Sequence, residues 1–170
     1  MRSLRFGTGF LGAFVVFTVA LARSPAGALA ISVPASKNLG TVATGASSVS
    51  AQLGPVTATD TGVLSPPSFV AQVTSSTFTT GTKTSAETIQ KTSIRYWSGP
   101  ATVSSGLAAS SAPGQPTAAS AQDLSTSRTA FTATGLLLSV SVTWNPTLII
   151  TIPASAVAGV YTGTITHSVA

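Results

Sequence analysis

Asp60, Glu87, Asp123 and His167 are the only carboxylate and imidazole side chains among the 170 residues, so they bound the proton-transfer chemistry open to this chain. A glycoside hydrolase needs two carboxylates flanking one bond at a set separation, and no spacing here brings two acids together. Asp60 closes an alternating run just before Thr61 and Gly62, where an aspartate commonly holds the backbone of a turn. Glu87 and Asp123 lie in polar stretches and read as solubilising charges. A Ser-His-Asp arrangement around His167 would need a positioned serine and an oxyanion hole, and no Gly-x-Ser-x-Gly elbow occurs. One histidine, no cysteine and scattered acids give no zinc-ligand spacing. The reading is therefore non-enzymatic, with no catalytic residues, no cofactor and no metal; a secreted hydrolase is the minor alternative.

Aromatic side chains are better placed to make contacts. Tyr96 and Trp97 are adjacent, so in a strand they take opposite faces, one internal and one partly exposed. A ring exposed on a threonine-rich sheet can stack on the apolar C–H face of a sugar. Tyr96, Trp97, Phe69 and His167 are the expected ligand contacts, with core or sheet-edge packing as the alternative. His167 is expected half-buried or at a rim, on the face of Tyr161, Ile165 and Val169. Trp144 is expected in the core.

The elements that would position these groups are strands. In 136–170, Leu138, Val140, Val142 and Trp144 alternate with Ser139, Ser141 and Thr143, and Tyr161, Ile165 and Val169 oppose Thr162, Thr164 and Thr166. Period-2 patterning of this kind marks antiparallel strands. Earlier strands are expected over 31–42, around Val49, Ala51 and Leu53, over 56–60, from Phe69 to Thr80, and over 87–97. The stretch 61–68, with Gly62, Pro66 and Pro67, is a loop. The 104–126 stretch of Ala, Ser, Gly and Pro has almost no large apolar side chain and is expected as a flexible excursion. No amphipathic helix is expected, and 153–158 has the composition of a single helical turn before Gly159. Seven to nine strands suit an antiparallel β-sandwich of immunoglobulin-like type, with a closed barrel as the second choice.

The N-terminus reads as a cleavable signal peptide over 1–30. Arg2 and Arg5 form a basic region, 10–22 is uncharged and mostly apolar, and Ala28 and Ala30 suit a peptidase. The apolar run stops at Arg23, short of the ~20 residues a spanning helix requires, so no membrane span is expected in the mature chain. Arg2, Arg5 and Arg23 leave with the leader, and the formal net charge falls from +5 to +2. The remaining cations are scattered, which excludes a nucleic-acid patch. Without cysteine, an exported domain has no disulfide staples, and 31–170 must bury one adequate core.

Val56-Thr57-Ala58-Thr59-Asp60, the Gly/Pro loop, the strand led by Phe69, and Gly159-Val160-Tyr161-Thr162-Gly163-Thr164-Ile165-Thr166 together resemble WxL-type domains, exported proteins that associate non-covalently with the Gram-positive cell wall. The resemblance covers most of 39–170. The block from Trp144-Asn145-Pro146 to Pro153 is also similar to small secreted actinobacterial proteins. Both Trp-x-Leu triplets that define the family are missing: Phe69-Val70-Ala71 and His167-Ser168-Val169 stand at those places. The resemblance implies a WxL-like β-sandwich, secreted and cell-wall associated, with peptidoglycan, another envelope glycan or a surface protein as partner. The alternative is a structural subunit that self-assembles by strand-edge pairing, with 31–42 as a detachable terminal strand.

Overall fold

The computed structural model describes residues 11–19, 29–43, 45–62, 66–106, 108–136 and 139–170. In chain order the strands are β1 (Leu11–Val19), β2 (Leu29–Ser32), β3 (Ser36–Val42), β4 (Ser48–Gln52), β5 (Val56–Asp60), β6 (Ser68–Ser75), β7 (Phe78–Thr79) and β8 (Thr88–Ile89). They continue with β9 (Ile94–Trp97), β10 (Ala101–Ser105), β11 (Ala108–Pro113), β12 (Gln122–Asp123), β13 (Arg128–Gly135), β14 (Val140–Trp144), β15 (Thr147–Thr151) and β16 (Val160–Val169). The helical content among the described residues is three single 3-10 turns, at Ser85–Glu87, Lys91–Ser93 and Ala118–Ser120.

These strands form three sheets among the described residues. The largest runs β11-β13-β6-β16-β1-β3, with β7 and β8 attached beside β16. The other two run β10-β14-β5-β2 and β12-β9-β15-β4. Every described pairing is antiparallel except that of β1 with β16.

Alternation in the sequence becomes alternation in burial. Val140, Val142 and Trp144 on β14, and Val56 and Ala58 on β5, are fully buried, while Thr57, Thr59, Ser141 and Thr143 face outward and bond across the strands. Thr57 Oγ1 lies 2.8 Å from Thr143 Oγ1, and Thr59 Oγ1 lies 2.9 Å from Ser141 Oγ. These hydroxyl pairs join β5 to β14 on the wet face, where β-branched residues favour the extended backbone. The inner faces of all three sheets feed one core. Phe131 of the large sheet stacks on Trp144 at 5.1 Å, and the Trp144 indole bonds Tyr96 of the third sheet at 3.1 Å.

Several expectations need correction. The 31–42 stretch is two strands in different sheets: Pro34 interrupts it, β2 pairs with β5, and β3 pairs with β1. The 104–126 stretch, expected as a flexible excursion, carries β11 on β13, β12 on β9, and the Ala118–Ser120 turn. Its small side chains bury little apolar surface, but its backbone bonds compensate. Gln115 is buried and exchanges hydrogen bonds with Ser98, and its amide donates to the Thr129 carbonyl at 3.0 Å. Leu124 supplies the apolar anchor at 1% exposure. Strand segments exceed the expected nine because turns divide runs that read as single strands; the Lys91–Ser93 turn splits β8 from β9. In place of the helical turn expected within 153–158 there is a hydrogen-bonded turn without helix, closed by the Ala156 N–H on the Pro153 carbonyl at 2.9 Å. Residues 1–10 and 20–28 of the expected leader, and Leu138, lie outside the described residues.

Candidate functional site

The three carboxylates are each spent on a local backbone. Asp60 Oδ1 accepts the Gly62 N–H at 3.0 Å and its Oδ2 accepts the Ser68 N–H at 2.9 Å, so one side chain ties together both ends of the 61–67 loop. Replacing it with alanine strips partners from two N–H groups; a loss of about 1–3 kcal/mol is expected in urea unfolding. Glu87 draws the N–H and hydroxyl groups of Thr82 and Thr84 onto Oε2, and those bonds, led by the Thr84 backbone, hold its pKa below the ordinary value. Asp123 is likewise lowered, first by the Ser125 hydroxyl and then by the Ser125 N–H, with Arg128 at 3.4 Å adding a lesser share. The turn-holding reading of Asp60 is borne out, and Glu87 and Asp123 do more than solubilise.

Tyr96 and Trp97 take opposite faces of β9, as adjacency requires. Tyr96 points inward and is fully buried. The Trp144 Nε1–H can only donate, so the Tyr96 oxygen accepts it at 3.1 Å. The Tyr96 proton is then directed to His167 Nε2, 3.2 Å away, which makes Nε2 the unprotonated nitrogen by donor counting. Burial pushes the His167 pKa down to about 3 and raises that of Tyr96, so both are neutral at pH 7. The three rings form a polar thread through the core joining all three sheets.

This placement revises the expected ligand contacts. Phe69, Tyr96 and His167 are 2%, 0% and 0% exposed, and a ring enclosed on all sides offers no face to a ligand. His167 is expected half-buried or at a rim, but its strand runs down the middle of the large sheet, where its face is covered by Trp144 and Tyr96 and the ring is fully buried. Trp97 alone of the four stays partly exposed.

Trp97 stands on the outer face of the β12-β9-β15-β4 sheet. Register places Thr147 opposite it and Gln52 beyond Thr147, while Arg95, Ile149 and Ser50 form the next row. Thr147 is 6% exposed although it faces outward, consistent with cover from the neighbouring indole. Gly99, at φ +71, passes beside that ring, and a Cβ there would lie 3.4 Å from Trp97 Cζ3. Asn145 braces the rim: its Nδ2 donates to Gln52 Oε1 at 3.2 Å, and its Oδ1 accepts the Gly54 N–H at 3.1 Å. Arg95 donates to the Ala121 carbonyl at 2.6 Å. The outer face of this sheet thus carries one partly exposed aromatic ring, with Gln52 in its row and Arg95 in the next.

Sequence reasoning found Trp97 but missed Gln52, Asn145 and Arg95. For Gln52 and Arg95 the only signal was the alternation of β4 and β9, which fixes faces but not which strands become neighbours; Asn145, between β14 and β15, carries no such signal. The larger recesses lie elsewhere. A groove of about 320 Å³ is lined by Ala43, Ala46, Ile152, Pro153 and Ala156. A more open recess of about 370 Å³ lies among Ser76, Thr79, Lys83 and Thr162. Neither gathers an acid, a histidine or an aromatic ring. No group of histidine and carboxylate side chains able to hold a metal ion occurs among the described residues, and no helix there is long and apolar enough to cross a membrane. No family model matches the chain, and no curated protein matches it.

Proposed function

We propose that the chain is an exported, non-enzymatic surface module that binds an envelope glycan, such as peptidoglycan, through the sheet face around Trp97. The observation that carries this reading is a partly exposed indole on the outer face of a sheet, in register with Thr147 and, beyond it, Gln52, which Asn145 braces, with Arg95 one row away. Sugar rings present an apolar C–H face to an aromatic ring and hydroxyl groups to amides and guanidinium groups at its margin. The engaged carboxylates support a binding role over a hydrolytic one. In this reading residues 1–30 are a signal peptide, and the sheets pack as a WxL-like sandwich with the large sheet as one layer and the two four-stranded sheets as the other. The proposed cleavage after Ala30 falls within β2: Leu29 and Ala30 pair with Asp60 and Thr59, and Ile31, 4% exposed, pairs with Ala58 and keeps the start of the mature chain on β5.

The test is fractionation of a producing culture into medium, wall and membrane, with pelleting of the purified mature protein on isolated sacculi. Recovery in medium and wall, with pelleting above background, is expected. Retention in the cytoplasm, or no pelleting at low ionic strength, contradicts the proposal.

A further inference from the structure

β1 occupies a place in the large sheet that the proposed export would empty. It pairs in parallel with β16 through eight consecutive positions, Gly12↔Val160 to Val19↔His167, and on its other side carries β3. Among the described residues β3 has no other sheet partner. Removal of residues 1–30 takes β1 and the first two residues of β2, and leaves a gap one strand wide between β16 and β3, with an unpaired edge on each side. Such an edge is a template for another strand.

We infer that this gap on β16 is a receptor for an extended, uncharged apolar strand donated by a partner polypeptide, entering parallel to β16. The inference rests on the proposed export and processing. Three observations define the donor. The backbone of β16 is half satisfied: Ser76 N–H donates to the Thr164 carbonyl and the Thr164 N–H to Ser76 Oγ, both at 2.9 Å, while Ala170 and Val70 exchange bonds. Even-numbered residues thus face β6, and successive residues of a strand bond to opposite sides, so Gly163 and Ile165 turn their N–H groups to the gap. The floor beside the gap is apolar, a narrow crevice lined by Val42, Val49, Ile89, Ile150, Ile152 and Tyr161. Finally, the strand seated there, Leu-Gly-Ala-Phe-Val-Val-Phe-Thr-Val, is uncharged throughout.

The chain's own spare strand is a poor substitute. β3 reads Ser-Lys-Asn-Leu-Gly-Thr-Val and buries only Leu39. Closing it onto β16 would bring Lys37 or Asn38 toward the apolar floor. Strand addition draws affinity from main-chain bonds and selectivity from alternate side chains, which matches an edge with free amides over an apolar floor.

The experiment uses the protein recovered from culture medium. Intact-mass measurement fixes its N-terminus; a peptide of residues 11–19 with flanking lysines is then titrated in, and backbone amide exchange is followed. The expected result is a chain starting at Ile31 that binds one peptide per monomer. Exchange at Gly163 and Ile165 slows at least tenfold on binding, while Thr166 is slow throughout. A peptide with Val15→Asp and Phe17→Asp, the register positions of Gly163 and Ile165, binds at least tenfold more weakly. A recovered chain that retains residues 11–19 overturns both the processing and the receptor. A correctly processed chain that ignores the peptide, or whose Gly163 and Ile165 amides are slow before it is added, overturns the receptor alone.

Discussion

Trp144→Ala is expected to cost about 3–5 kcal/mol of stability, enough to leave a domain of ordinary stability partly unfolded near body temperature. The indole is fully buried, stacks on Phe131 at 5.1 Å and 25°, and lies edge-on to His167 at 6.3 Å. Truncation opens a cavity where the three sheets meet, and it removes the only N–H donated to the Tyr96 oxygen from the indole side. Trp144→Phe keeps most of the volume and loses the donor, so a smaller cost of about 1–3 kcal/mol is expected. Urea unfolding checks both, with the fluorescence of Trp97, the other tryptophan of the chain, as reporter. A cost below 1 kcal/mol for the alanine variant would contradict the placement of Trp144 in the core.

Acid lability is the second large effect. His167 has its pKa pushed from the ordinary 6.5 to about 3 by burial. The unfolded chain therefore takes up a proton below pH 6.5 that the folded chain refuses. Stability from this group is complete above pH 6.5 and falls as the pH drops toward 3, at up to about 1.4 kcal/mol per pH unit. Glu87 and Asp123 have lowered values, so their contributions are present above their ordinary carboxylate values and are lost only under stronger acid. Between pH 6.5 and 5 the slope belongs mainly to His167, the sole histidine. Urea midpoints measured across that window should fall steadily in the wild type and stay nearly flat in His167→Phe. A flat wild-type profile would place the imidazole in contact with water.

The strands were legible wherever one face is wet and the other dry. Val140, Val142 and Trp144 opposite Ser141 and Thr143, and Tyr161 and Ile165 opposite Thr162 and Thr166, obey that rule in both sequence and burial. The rule fails where burial is not apolar. His167 reads as half-buried or at a rim from its place near the end of the Tyr161, Ile165 and Val169 face; the Tyr96 that encloses it lies 71 residues away in sequence, and Trp144 lies 48 from Tyr96. Segment 104–126 was misread for a related reason. Its order comes from strand pairing and from Ser98 and Gln115, not from large side chains that a composition scan registers. At the candidate site the aromatic was visible and its polar margin was not, because Gln52 comes into the row of Trp97 only through the pairing of β15 with β4 and β9, and Asn145 only through its bond to Gln52.

The proposed role concentrates recognition in one exposed ring, and a single comparison tests it. Wild-type and Trp97→Ala mature proteins, matched for fold by circular dichroism, are titrated onto purified sacculi and the bound fraction measured. A central aromatic anchor is expected to contribute at least about 1.4 kcal/mol, so the variant should bind tenfold or more weakly, with its unfolding midpoint little changed. Equal binding by the two proteins would contradict recognition through the sheet face around Trp97.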